Sequence, residues 1–413
     1  MSYRLFRKIS IGLAAVGPGL FLIGYNIGTG SVTTMAKSGA EHGMSLFWTL
    51  VLSCVFTYVL MVAYGQVTLV TGRTALTNIR RSLPFGKLLS IYIMSALILG
   101  ELLALIGIMG IVSDLLNEGS RLMLGGTGIN QFWIILICSV SLYLVLWYGR
   151  YRLFEKLLTC FVILMVVCFC IVFFLVKPSI TAVLQGLIPR IPKVPGSFGL
   201  IAAMAGTTCS AAVFIMRSIV VSEKGWTVDN LQGEKRDAAV SAGMMLLLSG
   251  LIMAVSAGTL SVMGLKLKDS VEMVRLFEPL RGRIASYILI LGITGAGLST
   301  VFPIILIAPW LVCDYTGRDR NVRSPLFRVL GLVGILFAFG SQLLSQRPPA
   351  LMIFSQAFQA CILPAVVLPI FVMINTRRIM GKFVATPIMN IGLTAVLFFS
   401  MLTTYLAIAE LLW

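Results

Sequence analysis

The sequence predicts an all-α polytopic membrane protein of about eleven transmembrane helices, built as a 5+5 inverted repeat with helices 1 and 6 broken at mid-membrane and one helix added at the end. Three observations carry this. The 413 residues are 58% hydrophobic and only 11% charged, whereas a soluble chain carries about a quarter charged residues. Apolar runs of roughly 20 residues, enough to cross a bilayer core of about 30 Å, recur along the whole chain. The first and sixth runs are interrupted at the same relative place, the mark of an inverted repeat with its binding site at the repeat interface.

The first run, 10–36, has no small-residue cleavage site after it and is read as a retained helix, not a signal peptide. Within it, Asn26-Ile27-Gly28-Thr29-Gly30-Ser31 stands where a simple spanning helix would carry leucine and valine. Unwound backbone at membrane depth must be buried in protein or line a water-filled cavity, so this stretch is a candidate binding site. Spans two to five are expected at 44–70, 87–116, 130–149 and 153–176. Span six, 198–222, is broken at Gly206-Thr207-Thr208-Cys209-Ser210. Spans seven to eleven are expected at 237–263, 283–310, 325–344, 350–375 and 387–410. The halves are then 10–176 and 198–375, inside one integral membrane domain covering 1–413. Two connections are longer than turns. Residues 177–197 hold four prolines, and 264–282 space Val271, Val274, Phe277 and Leu280 as one face of an outer amphipathic helix. Both are expected to pack on the bundle surface.

Lys and Arg number 32 against 15 Asp and Glu, a net charge of +17. With the N-terminus inside, 20 of the basic residues fall on the cytoplasmic face and 11 on the other, with Arg217 inside a helix. The positive-inside rule therefore places the N-terminus in the cytoplasm and the C-terminus outside, in the plasma (inner) membrane. Orientation and anionic lipid account for the basic loops, and nucleic acid is not expected as a partner. The eight cysteines lie in or beside apolar runs without metal-site spacing. The single histidine, His42, is placed in the first outer loop, and the tryptophans, Trp48 among them, near the interfaces. No Ser/His/Asp or Cys/His set exists, so no enzyme is expected.

The runs GPGLFLIGY, SGAEHGMSLFW and QVTLVTGRTALTNIR resemble the first two helices of the NRAMP family of divalent-metal transporters. The resemblance continues through YRLFEKLL, LQGLIPRIP, AGTT with SEKGW, GITGAGLS, SQAFQACILPAVVLPI and NTRRIMGKFV, in order along nearly the whole chain. It implies a LeuT-like fold and cotransport of transition-metal ions with protons. It also exposes departures. The family's first-helix Asp-Pro-Gly-Asn falls on Gly28-Thr29-Gly30-Ser31, replacing aspartate by Gly28 and asparagine by Ser31. In the sixth helix the family's metal-binding methionine falls on Ser210, the next histidine on Ala212 and a second histidine on Arg217, while the tenth-helix glutamine is kept as Gln356. The acidic relay of the third helix falls on Leu102 and Leu105, with Glu101 one residue away, about 100° around the helix.

The candidate substrate-binding residues are Asn26, Gly28, Thr29, Ser31, Thr207, Cys209, Ser210 and Gln356, a set of hydroxyls, amides, backbone carbonyls and one thiol. A transition metal wants carboxylate, imidazole or soft sulfur, so no residue is assigned as a metal ligand, and no cofactor is expected. Glu101 and Arg217 are the ionisable residues inside spans, where a charge is functional by default. They are expected to pair or to line an aqueous proton or charge pathway, or else to act structurally, with Arg217 snorkelling to the interface. The function implied is a secondary transporter, working as a monomer in the lipid bilayer, that moves a cation through a rebuilt site. The alternatives are a small anionic or neutral solute as cargo, or a non-transporting receptor on the same fold.

Overall fold

The computed structural model describes residues 28–148, 151–192, 194–280, 283–344 and 346–412. Its elements are α1 (Thr29–His42), α2 (Phe47–Thr71), α3 (Ala75–Ser82), α4 (Gly86–Leu124), α5 (Gln131–Tyr148), α6 (Tyr151–Val176), α7 (Ile180–Gln185), α8 (Ser197–Thr208), α9 (Ala211–Glu223), α10 (Leu231–Gly258), α11 (Arg283–Thr316), α12 (Pro325–Phe337), α13 (Gly340–Leu343), α14 (Pro348–Asn375), α15 (Arg377–Met380) and α16 (Pro387–Leu412). Among the described residues no strand occurs, as hydrocarbon demands: only a helix satisfies its backbone within one segment. Nine helical stretches there are long and apolar enough to cross a bilayer. They match predicted spans two to four and six to eleven, and α6 matches span five. The half of span one before residue 28, with Asn26, lies outside the described residues.

Local chemistry sets the ends. Gly72 closes α2 in the left-handed region (φ 63°), its N–H donating to the Thr68 carbonyl, a conformation that favours glycine. Proline opens α12 and α14, where the missing N–H would have had no partner. In the middle of the bundle α4 and α8 both pack on α14, α10 packs along α1 and α2, and α11 lies across α4 and α6. The broken pair α8–α9 is almost wholly buried, so what surrounds it is protein and not lipid.

The two long connections dock on the bundle as expected, but one of them by a different face. In 177–192, Gly186 accepts from the Trp48 backbone N–H at 2.8 Å, and the Arg190 carbonyl accepts from the Trp48 indole at 3.1 Å. Trp48 is therefore buried beneath this loop. Residues Ser270–Leu280 form a 3₁₀ helix, unusually long for that type. Its three-residue repeat turns Ser270, Met273 and Leu276 inward, fully buried, and leaves Val271 exposed. The predicted 271/274/277/280 face has the same three-residue spacing but is displaced by one residue from the buried one, and is corrected accordingly; the side chains of Phe277 and Leu280 lie outside the described residues.

This segment is held over α1 and α4 by named contacts. Thr33 Oγ1 donates to Met273 Sδ at 3.9 Å, and Lys37 Nζ to the Leu267 carbonyl at 3.2 Å. Asp114 on α4 accepts from Ser270 Oγ and from Gln131 Nε2, each at 2.7 Å. Asp114→Ala is expected to release the segment, seen as faster hydrogen exchange over residues 267–276 with exchange in α14 unchanged. Unaltered exchange there would show that Met273 and Leu276 hold it by burial alone.

Candidate functional site

The sixth span breaks over two residues. Cys209 ends α8 at φ −102°, ψ 52°, and Ser210 caps α9 from an extended conformation without using its side chain. The Thr208 carbonyl, left without a helical partner, accepts from Thr57 Oγ1 of α2 at 3.0 Å, so the break is satisfied by protein. The first span resumes as a helix at Thr29, with Gly28 as its extended N-cap, again without a side-chain cap. Two helix N-termini, α1 and α9, therefore face one place. Ser31 Oγ and Thr207 Oγ1 meet there at 3.1 Å, joining the broken helices across 176 residues of sequence.

Between them lies a cavity of about 30 Å³, room for two or three water-sized centres on the scale of about 10–15 Å³ each. Its described walls are Gly28, Gly30 and Ser31 of α1, with Glu101, Ala104 and Ile108 of α4. Thr207 and Ser210 come from the break, Thr300 and Ile304 from α11, and Met352, Gln356 and Gln359 from α14. The fit around it is close. A Cβ at Gly206 would lie 1.8 Å from the Gln356 carbonyl oxygen, which presses α8 directly on α14.

Five of the predicted site residues, Gly28, Ser31, Thr207, Ser210 and Gln356, line the cavity. Thr29 and Cys209 do not. Thr29 Oγ1 points to α11, where a Cβ at Gly297 would come within 2.7 Å of it. Cys209 is fully buried on the α2 side, beside Thr57 and Cys54.

The sharpest difference from the sequence reading is a carboxylate. Glu101, 4% exposed, lines the cavity with Ala104 and Ile108 at i+3 and i+7, one face of α4. It accepts a 2.6 Å hydrogen bond from Gln359 Nε2. The one-residue offset from Leu102 is thus what turns the acid inward. Sequence reasoning also missed Thr300, Met352 and Gln359. The Met352, Gln356 and Gln359 spacing of i, i+4, i+7 on a single helix was the available signal.

Arg217 is elsewhere. Fully buried in α9, it is held by Glu234 at 2.9 Å and Asp237 at 2.5 Å on α10. It neither pairs with Glu101 nor reaches an interface, which corrects both expectations. Charged partners on the facing helix removed any need for it to snorkel.

Comparison with known proteins agrees with this architecture. The family model described as "Natural resistance-associated macrophage protein-like" matches residues 19–410. The "Divalent metal cation transporter MntH" of Listeria innocua is 24% identical over 98% of this chain and 90% of its own length. The protein of the same name from Deinococcus radiodurans is 23% identical over 90% and 84%. A variant of the Eremococcus coleocola manganese transporter superposes with a TM-score of 0.72 at 17% identity, covering 96% of this chain and 86% of the other. Mhp1, a nucleobase-cation-symport-1 family transporter, does so with 0.61 at 14%, covering 95% and 92%. The fold is therefore the LeuT-like one predicted, and with the family model spanning nearly every residue, the chain belongs to the Nramp family.

Proposed function

We propose that the protein is a secondary transporter that carries a divalent metal cation through the cavity between the two broken spans. It acts as one domain and as a monomer, with the N-terminus in the cytoplasm and the C-terminus outside. The observation that carries this reading is Glu101: among the described residues it is the one charged side chain lining a cavity otherwise walled by hydroxyls, amides, a thioether and apolar groups. A carboxylate beside neutral oxygens attracts and partly dehydrates a cation. The names of the Nramp relatives point the same way. Relative to those the resemblance describes, this site is substituted, with its acid on α4.

One observation favours the second reading, a small anionic solute: α1 and α9 both open toward the cavity without side-chain caps, and helix N-termini attract anions. Such a solute would share about 30 Å³ with the Glu101 carboxylate, and Arg217, the buried cation that could have offset it, is committed to α10. Repulsion inside a low-dielectric cavity is far stronger than in water, so the cation reading is preferred.

The test is entry of Mn²⁺, Mg²⁺ and Ca²⁺ into proteoliposomes loaded with a metal-sensitive dye. Saturable entry is expected, reduced about tenfold or more by Glu101→Gln or Gln356→Ala, the equivalent of about 1.4 kcal/mol of lost binding. No entry and no calorimetric binding of any divalent ion would sink the proposal.

A further inference from the structure

A second and larger cavity lies against α11, away from the central one. Its volume is about 420 Å³, inside the range of about 300–1,000 Å³ usual for ligand pockets. Phe302, Leu306 and Trp310 stand in its wall at i, i+4 and i+8, one stripe of α11, and Val145 and Leu146 of α5 complete the apolar part. The stripe rises about 12 Å at 1.5 Å per residue, most of the roughly 15 Å that one leaflet gives to a hydrocarbon core of about 30 Å. The remaining wall is polar and basic, formed by Arg320, Asn321 and Arg323 from the connection that follows α11.

Apolar gaps between spans and arginines at span ends are each ordinary in a membrane protein. Here the two are joined in one groove, and its charge is of one sign: among the described residues no carboxylate lines it. Arg320 does meet two acids, Glu223 at 3.0 Å and Asp314 at 3.5 Å. Both belong to a separate polar cavity that Arg320 shares with Arg73 and Arg318. Arg323 is exposed, and no described carboxylate stands within ion-pair distance of it. Its backbone is fixed by the Asn321 Oδ1, which accepts from the Arg323 N–H at 2.9 Å. The next residue, Ser324, caps α12, so the positive end of that helix opens beside the same arginine. The groove is held in shape by the Arg328 guanidinium of α12, 3.8 Å over the ring of Trp147 on α5.

We propose that this groove binds an anionic phospholipid of the cytoplasmic leaflet, its phosphate on Arg323 and Arg320 and one acyl chain along Leu306 and Phe302. The leaflet rests on the orientation proposed above; the site does not rest on the cation reading. A guanidinium offers paired N–H donors that match phosphate oxygens, and basic pockets between spans on the cytoplasmic side suit anionic head groups. The apolar stripe supplies what a free anion would not use. The site bears on transport because α11 is the partition between it and the central cavity. Thr300 and Ile304 line that cavity. Phe302 and Leu306, two residues on and about 200° around the helix, line the groove.

Native mass spectrometry on the delipidated full chain in detergent tests the idea with phosphatidylglycerol and phosphatidylcholine, each with and without excess inorganic phosphate. The unmodified protein is compared with Arg323→Gln and with Arg378→Gln, an exposed arginine on another loop; an unchanged thermal transition checks that each variant folds. Phosphatidylglycerol is expected to bind about tenfold more tightly than phosphatidylcholine. Arg323→Gln should weaken it about fivefold, in keeping with about 1 kcal/mol per basic residue at an anionic surface, and Arg378→Gln should leave it unchanged. Phosphatidylglycerol carrying a photoreactive group in its acyl chain should label Val145–Leu146 and Phe302–Trp310, less so in Arg323→Gln. Equal binding of the two lipids, unaltered affinity in Arg323→Gln, or labelling only elsewhere would overturn the proposal. Displacement of the lipid by inorganic phosphate would overturn it as well, and would make the arginines a site for a free anion. No metal enters these measurements, so their failure leaves the cation reading as it stands.

Discussion

Arg217→Met is expected to destabilise the folded protein by about 3–5 kcal/mol, the loss typical of stripping one partner from a buried ion pair. The guanidinium is fully enclosed between Glu234 at 2.9 Å and Asp237 at 2.5 Å, both almost wholly buried themselves. On the α2 side Glu234 is packed tightly as well, since a Cβ at Gly65 would lie 1.9 Å from Glu234 Oε1. Methionine keeps most of the volume, so the effect reads charge and not cavity. Neutralising the acids as well, in Arg217→Met with Glu234→Gln and Asp237→Asn, is expected to recover part of the loss, because residues within one network are not additive. Thermal unfolding in detergent measures both. A single variant as stable as the parent would show that the cluster contributes nothing net, and that α9 is held to α10 by packing alone.

Gly206→Ala is expected to abolish cation binding, with a stability loss of about 1–3 kcal/mol from overpacking. The added methyl would begin 1.8 Å from the Gln356 carbonyl oxygen and 3.0 Å from the Ala360 amide nitrogen, both backbone atoms of α14. No rotamer change relieves a clash with backbone. α8 and α14 must separate, which moves Thr207 away from Ser31 and Gln356 away from the cavity. Calorimetric titration and proteoliposome entry read the function, and the thermal transition reads the fold. Retained binding would mean that the site tolerates a shift between α8 and α14 and does not depend on Thr207.

Most of the fold was legible because membrane insertion is a strict constraint. A run such as Phe47–Thr71 reads as a helix whatever its neighbours, since in hydrocarbon its backbone has no other partner. The break at 206–210 was legible for the same reason in reverse: Gly, Thr, Cys and Ser at mid-span make sense only where protein or water surrounds them. The structure narrows it to Cys209 and Ser210. The inward face of Ser270–Leu280 was misread by one residue because Met273 and Leu276 lie beside Val274 and Phe277 in sequence and either set repeats every three, and docking on α1, α4 and α11 chose between them.

The site was half legible. Ser31, Thr207, Ser210 and Gln356 could be named from the broken spans and the family pattern. Glu101 could be named as an unusual intramembrane charge, but which way it faced depends on the rotation of α4, which a one-residue offset in sequence leaves undecided at about 100° per residue. Arg217 shows the opposite failure. Its partners stand at 234 and 237, at the start of the next span, where acids read as ordinary membrane-edge residues until α10 is packed against α9.

The sequence by itself therefore determined the class of protein, the course of most of its spans and the place of the break in span six. Composition and periodicity carry those, because each depends on residues near one another in the chain. Only the tertiary structure decided that a carboxylate from α4 and a thioether from α14 line the same cavity, and that the buried arginine is held by α10 away from it. Those outcomes depend on which faces of distant helices meet, and no property of a single span records that.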